Sequence, residues 1–497
     1  MDLAIAVLLF GCSGDDPTDP AATNDTEAPV HSDSPPLPTD SGPTDTGYTD
    51  PTLTSEECWF IKDRSARPAA NPDAPNFLLV VLDDVGIEYL DLYHSTVPTP
   101  TPTIDRLAEE GVVFNRAYAT PLCSQTRAEL MTGRLPTHTG IGQALSSSGQ
   151  GLSCLEHLAP AVLADHAGYY SALFGKWHLD TFDSGDLLGP QIHGFDVWAG
   201  AFANFDEAWT TDSLPQTYFD WERIYNAVPG RVSTYATTTN VNDAIAVLPT
   251  LPEPWLGVLA FNAAHAPYHR PPDQLTTLDP DVEATSVQKF KAAIEGMDTE
   301  LGRLLETLDP SVVARTQVWV MGDNGSPEDI VGIPAKGSVY ETGVHVPLII
   351  SGAGVGEPGR RSDHLVQAAD FLPTATTLGS ADVSAAWLAS IDGVSIHAVL
   401  ESASAPSARS TVWDVRYRYE GTVLHMEQSY GRGNRYKLVR QYNIDDPTDA
   451  WELYDMEVDG EATDLNLAPL SAEAQQAYDE LVALRDTSWE EKPIAKP

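Results

Sequence analysis

Six separated stretches of this chain carry residues able to hold a hard cation, an anion or a proton: Asp83-Asp84, Cys123 with Arg127, Lys176 with His178, His265, Asp323-Asn324, and Lys336. Taken singly, each is weak. Asp-Asp or Asp-Asn-Gly after an apolar run is usually turn chemistry or a helix cap, and a lone histidine is more often structural. Their conjunction says more. Three carboxylates and one amide oxygen (Asp83, Asp84, Asp323, Asn324) are hard oxygen ligands, suited to calcium or magnesium rather than to zinc. Arg127, Lys176, Lys336 and the two histidines form a cationic set in a chain with few cations. A metal with converging cations points to polarisation of an anionic substrate oxygen. Cys123 is the candidate nucleophile: it opens a predicted helix, whose N-terminus favours an anionic intermediate. The alternative for Cys123 alone is a buried structural cysteine.

Alternating strands and helices must bring these residues together. Phe77 to Leu82 is a continuous apolar run, as a buried parallel strand requires, and it ends in Asp83-Asp84. Adjacent strand residues point to opposite faces, so both carboxylates converge only in the turn beyond it. A helix is predicted over Thr103 to Glu110, with Thr103 as N-cap and Gly111 beyond its end. Cys123 follows the apolar stretch Val112 to Ala119. A second helix is predicted over Leu155 to Ala167, stopped by Gly168, with a strand from Tyr169 to Phe174 leading to Lys176 and His178. Trp255 to Phe261 precedes His265, and Gln317 to Met321 precedes Asp323-Asn324. Between them Val287 to Leu308 has apolar residues at helical spacing, and Val346 to Ile350 closes the series. The fold class is α/β, a large, mostly parallel mixed sheet sandwiched by helices, with sites outside the carboxyl ends of its strands. From about residue 404 the pattern changes to short strands (Val412 to Tyr419, Val423 to Ser429, Tyr436 to Tyr442) and a helix from Ser471 to Arg485. That is a smaller α+β domain on an antiparallel sheet. The division expected is 74–403 for the catalytic domain and 404–490 for the second.

Composition limits the partners. With 72 acidic residues against 28 basic ones and a net charge of −44, the chain repels nucleic acid and anionic surfaces. Any anion site must therefore be a local cluster of scarce Lys, Arg and His. Residues 1–12 read as an export signal: Leu3 to Phe10 is apolar but too short to span a bilayer, and Leu9-Phe10-Gly11-Cys12 resembles a bacterial lipobox. Asp2 stands where Lys or Arg is expected. Cleavage before Cys12 and its lipidation imply an exported lipoprotein anchored in the periplasm or at the cell surface. Residues 13–57 hold eleven acidic residues and no Lys or Arg, the composition of a disordered tether. With Cys12 and Cys123 assigned, Cys58 and Cys154 are left as a disulfide pair or as two buried thiols.

These stretches resemble the type I, formylglycine-dependent sulfatases of the alkaline phosphatase superfamily. Cys123 to Arg134 resembles the signature Cys-x-Pro-Ser/Ala-Arg followed by Thr-Gly-Arg, departing at Gln125 and Thr126. Phe174-Gly175-Lys176-Trp177-His178-Leu179 is close to identical to the second signature. Ala264-His265-Ala266-Pro267, Gly322-Asp323-Asn324-Gly325 and Lys336 to Pro347 resemble three further blocks, with His345 in place of an arginine. The stretch after the signature, Pro136 to Ile141, looks closest to arylsulfatases of the N-acetylgalactosamine-4-sulfatase type. The resemblance implies that Cys123 is oxidised to formylglycine by a maturation enzyme and that its hydrate attacks sulfur. It implies a calcium ion on Asp83, Asp84, Asp323, Asn324 and the modified Cys123. It further implies that Lys176 and Lys336 neutralise sulfate oxygens and that Arg127 positions the hydrate. His265 would be acid to the leaving alcohol and His178 the base that expels sulfate. The substrate implied is a sulfated small molecule or glycan. Gln125 replaces the proline that maturation enzymes usually require. Two other readings compete: phosphodiester or phosphonate ester hydrolysis with the same layout, and a lipoprotein that binds sulfated glycans without turnover because Cys123 stays a thiol.

Overall fold

The computed structural model describes residues 61–490 and 492, apart from 65, 94–98, 148–149, 183–185, 206–209, 421–422 and 446–447. The signal-like segment, the acidic stretch 13–57, Cys12 and Cys58 lie outside the described residues.

Ten strands form one large sheet: β1 (Asn76–Leu82), β2 (Gly111–Tyr118), β3 (Tyr170–Gly175), β4 (Val197–Gly200), β5 (Trp221–Tyr225), β6 (Val228–Val232), β7 (Trp255–Ala260), β8 (Thr316–Gly322), β9 (Leu348–Gly352) and β10 (Arg360–Gln367). Their order is β10-β2-β9-β8-β1-β7-β3-β4-β5-β6. The central run β8-β1-β7-β3-β4 is parallel throughout, so the carboxyl ends of β8, β1, β7 and β3 share one edge. β9 and the β5–β6 hairpin run antiparallel.

The apolar run of β1 explains its central place. Phe77, Leu79 and Val81 enter one hydrophobic core, and Leu78, Val80 and Leu82 the other, on the opposite face. Burying each such side chain contributes roughly 1.5–3 kcal/mol, and only a strand covered on both faces realises it at every position. One core packs α2 (Cys123–Thr132) and the helices Ala159–Ala167 and Phe371–Leu378; the other packs α1 (Pro102–Glu109) and the helices Ala236–Val247 and Ser286–Thr307. The long helix Ser286–Thr307 opens with a capping box between Thr285 and Gln288. Its buried Asp298 accepts from the backbone N–H groups of Thr103 and Ile104, capping α1 from a neighbouring helix.

Several boundaries differ from expectation, each for a local reason. α1 starts at Pro102, with Thr101 rather than Thr103 as N-cap; proline favours the first helical position, where its missing N–H costs nothing. The helix expected from Leu155 begins at Ala159, because Pro160 again fixes the first turn and residues 155–158 form turn and extended backbone. β9 begins at Leu348 rather than Val346, after Pro347, which cannot donate to a ladder. Ser471 is the N-cap of the last helix, Ala472–Thr487, and its hydroxyl accepts from the N–H of Ala474.

The second sheet is an antiparallel meander, β11 (Val412–Glu420), β12 (Val423–Arg432), β13 (Tyr436–Asn443) and β14 (Thr448–Asp455), with the last helix against it. Edge strand β11 faces the part of the chain that carries the ten-stranded sheet, where Tyr417 N–H donates to the Gly142 carbonyl. Among the described residues no helix is long and apolar enough to cross a membrane. Cys154 is disulfide-bonded, which rejects the free-thiol alternative for it; Cys123 is a free thiol.

Candidate active site

The register of β1 with β8 pairs Leu82 with Gly322, so Asp83 and Asp323 leave the sheet side by side. Asp84 then turns through a left-handed backbone, φ 64°, a conformation that costs a non-glycine residue about 1 kcal/mol or more. The turn answers the alternation problem: one ligand atom each from Asp83, Asp84 and His265 lies within 4.8 Å of the others. His178 is the second such turn, φ 60°, after β3 has delivered Lys176.

All five expected metal ligands, Asp83, Asp84, Cys123, Asp323 and Asn324, are buried. Asp83 Oδ2 accepts from Lys176 Nζ at 2.5 Å and from Arg127 Nη2 at 3.0 Å. Arg127 also donates to Asp323 Oδ2 at 2.9 Å and to the Lys176 carbonyl at 3.0 Å. Its guanidinium thus ties two carboxylates and the β3 turn together, rather than pointing at residue 123 alone. Asp323 Oδ1 accepts from the Asp84 N–H. Asp84 accepts from Asn324 Nδ2 and from Lys336 Nζ, each at 2.8 Å, and His265 Nε2 stands 3.7 Å from it. Two acceptors in this set, Asp83 Oδ1 and Asn324 Oδ1, are buried without a hydrogen-bond partner. A buried, unpartnered oxygen costs about 1–3 kcal/mol, and two facing a carboxylate cluster fit a hard cation. His265, which the sequence reading placed outside the metal set, groups with Asp83 and Asp84.

Charge in this cluster is finely opposed. Burial pushes the Asp83 carboxyl up, but Lys176 and Arg127 outweigh it and hold Asp83 well below the usual range. Asp323 is pushed up, by burial and then by Asp83. Burial would lower the Lys336 ammonium; Asp84 more than reverses that.

Cys123 is the first residue of α2, all ten of whose residues are buried. Its Sγ lies 3.4 Å from His178 Nδ1. His178 Nε2 lies 3.2 Å from the Leu145 carbonyl; a carbonyl only accepts, so the neutral ring carries its proton on Nε2 and turns the Nδ1 lone pair to residue 123. Burial, then Lys176 and Arg127, keep this imidazole well below its ordinary range, which makes it a neutral base. Burial raises the Cys123 thiol, against Lys176 and Lys336. His265 Nδ1 donates to the Ala266 carbonyl, leaving Nε2 on the Asp84 side.

The two signature departures have structural uses. Thr126 Oγ1 donates to the Asp323 carbonyl at 2.5 Å, fixing the backbone of that expected ligand. Gln125 Nε2 donates to the Val415 carbonyl on β11 at 2.7 Å, tying α2 to the second sheet. Glu129, further along α2, is a buried carboxyl whose proton is held well above the ordinary range by burial and by Asp414 of β11. His345 lies away from the cluster: it stacks on Tyr118 and bonds the Asn115 carbonyl. Sequence reasoning missed the β11 contacts, since Gln125 and Val415 stand 290 residues apart and no local pattern records such a pairing.

Comparison with known proteins agrees with this geometry. A family model described as Sulfatase matches residues 75–381, and one described as N-sulphoglucosamine sulphohydrolase, C-terminal, matches 332–484. N-acetylgalactosamine-6-sulfatase of Canis lupus familiaris is 30% identical over 345 residues, 62% of this chain and 63% of the relative. Arylsulfatase G of Homo sapiens is 27% identical over 384 residues, 67% of this chain and 70% of the relative. The chain thus spans less than two thirds of the length of the first of these. Among solved structures, Ps i-CgsB in complex with k-i-k-neocarrahexaose superposes with a TM-score of 0.69 at 24% identity, covering 84% of this chain and 93% of that one. BT4656 in complex with D-glucosamine-2-N,6-O-disulfate gives 0.66 at 19%, covering 84% and 97%; at these identities the likeness is one of fold. The family model spans more than half of the chain and includes every strand end that converges on the carboxylate cluster, so the chain belongs to the sulfatase family.

Proposed function

We propose that this protein hydrolyses sulfate esters on a sulfated glycan, with residues 74–403 carrying the chemistry and 404–490 closing the site. The observation that carries this reading is one shared edge: buried oxygen ligands with two unpartnered acceptors, two lysines, two histidines and Cys123 at a helix start. Cys123, converted to formylglycine by a maturation enzyme, supplies the attacking oxygen. Asp83, Asp84, Asp323 and Asn324, with residue 123, would hold calcium, which when bound polarises sulfate and lowers the cost of an oxyanion.

The other residues act directly. Lys176, fully buried, and Lys336, partly exposed, offer N–H donors to sulfate oxygens. Arg127 positions Asp83 and Asp323. His178, a neutral imidazole with Nδ1 turned to residue 123, takes a proton from there. His265, as an imidazolium with Nδ1–H on the Ala266 carbonyl and Nε2 beside Asp84, gives its Nε2 proton to the leaving alcohol. Each acid–base role contributes about 10²- to 10⁴-fold. Export and anchoring through a lipidated Cys12 complete the reading.

The test uses protein from its native host. Mass spectrometry of the tryptic peptide Ala117–Arg127 should show an aldehyde at 123, trapped by a hydrazide. Asp323→Ala should bind less calcium and lose aryl sulfate hydrolysis while staying folded. An alkylatable thiol in every molecule refutes this reading and favours a non-catalytic glycan binder. Faster turnover of an aryl phosphodiester than of the matched aryl sulfate favours the phosphodiesterase alternative.

A further inference from the structure

Arg416 lies on β11, between two residues bound to the catalytic side: the Val415 carbonyl accepts from Gln125, and the Tyr417 N–H donates to Gly142. Its position is therefore fixed from both sides. The side chain is part-buried and reaches the loop after Lys336, where Nη1 donates to the Gly337 carbonyl at 2.9 Å. Gly337 has φ +83°, and a Cβ built there would lie 3.3 Å from Arg416 Nη1 and 3.8 Å from Leu122 Cδ2. Leu122 immediately precedes Cys123. The guanidinium thus borders the loop that follows Lys336, where that loop packs near Leu122 at the start of α2.

What sets Arg416 apart is its charge balance. Its Nε is buried without a hydrogen-bond partner. Among the described residues no carboxylate pairs with it. Burial, followed by the charge of Arg418, lowers its pKa. Carboxylates outnumber cations in this chain by 72 to 28, yet this cation beside the site has none. With Nε buried and one Nη1 N–H on Gly337, three of the five N–H donors remain, on Nη1 and Nη2, and that end of the guanidinium can meet a carboxylate or sulfate with two parallel bonds.

We propose that Arg416 forms a second anion subsite, which binds a further carboxylate or sulfate of the substrate while Lys176 and Lys336 hold the sulfate that is cleaved. The substrate class is then a polyanionic saccharide rather than a singly sulfated neutral one. This rests on the sulfatase reading above.

The experiment measures kcat/KM for the mature parent, Arg416→Gln and Arg416→Lys. Three substrates are compared: 4-nitrophenyl sulfate, a disaccharide with one uronate and one sulfate, and a hexosamine carrying two sulfates. In Arg416→Gln the ratio of saccharide to aryl sulfate should fall about 10- to 100-fold, the range of a lost charge-assisted hydrogen bond, mainly through KM. Arg416→Lys should recover part of it. Loss on the disaccharide identifies a carboxylate as the bound group, and loss on the disulfated sugar a second sulfate. If the parent hydrolyses these substrates and the ratio is unchanged in Arg416→Gln, the subsite is overturned and the sulfatase reading stands. A parent that turns over none of the three overturns both.

Discussion

Replacing Gln125 measures how firmly the helix that Cys123 opens is tied to the second sheet. Its amide is fully buried and donates to the Val415 carbonyl at 2.7 Å. Gln125→Met keeps the volume and removes the donor. The lost bond is worth about 0.5–1.5 kcal/mol net, and the stranded carbonyl costs about 1–3 kcal/mol. Against this, Gln125 Oε1 is itself buried without a partner, so its removal returns part of that sum. The balance is about 2 kcal/mol of lost stability. Gln125→Pro should cost a similar amount and no more. With Leu122 as N-cap, position 125 is the third residue of α2, and its N–H belongs to the first turn, which has no intrahelical acceptor. A mid-helix proline would instead cost about 3 kcal/mol from the helix alone. The assay is urea unfolding at fixed calcium, with the midpoint shifted and the m-value constant. If both variants unfold within about 0.5 kcal/mol of the parent, the Gln125 bridge does not hold the sheet and the reasoning fails.

Lys176→Ala and Lys336→Ala should each lower turnover at least about 10²-fold, as loss of an oxyanion donor does; steady-state rates near the parent would reject the sulfate-binding roles. Asp298→Ala strips two backbone N–H groups of α1 of their acceptor and should cost about 2 kcal/mol in urea unfolding, with Asp298→Asn costing less. Asp180 accepts from the Trp177 indole, and burial pushes its carboxyl up to about 7 from an ordinary 3.8. The folded state therefore binds the proton more tightly than the unfolded chain. Stability falls as pH rises from about 4 to 7 and levels off above, by about 4 kcal/mol at most. Asp180→Asn should abolish that slope and be the more stable protein at pH 8; parallel pH profiles for the two would reject it.

How much of this was legible in the sequence depends on the range of each interaction. β1, β3, β7 and β8 were readable because a strand buried on both faces must be apolar at every position, and the polar residues just beyond each marked the site edge. Prolines 102, 160 and 347 would have corrected three boundaries, because each removes a donor at a position where only an element's start tolerates it. Strands β4, β5, β6 and β10 carried no comparable run: Val228–Val232 includes a proline and a glycine, and Arg360–Gln367 begins with two arginines. Cys123, Lys176 and His178 could be named from local motifs, but the direction of their bonds could not. That Arg127 would bind Asp83 and Asp323, or that His265 would approach Asp84, follows from register between distant strands. Arg416 had no local signal at all, since its meaning lies in the absence, among the described residues, of a carboxylate paired with it.

The burial of α2 also sets a timetable. Cys123 is 1% exposed, and the helix it opens is held by Val415, 290 residues further along the chain. Any enzyme that modifies the thiol must reach it while the segment around Leu122 is still extended. At about 5–20 residues per second of synthesis, the ribosome needs roughly 15 to 60 s to travel from Cys123 to Val415. During that interval the helix lacks the partner that locks it down. Slowing translation between these positions should raise the modified fraction, and producing residues 404–490 in trans, ahead of the rest, should lower it.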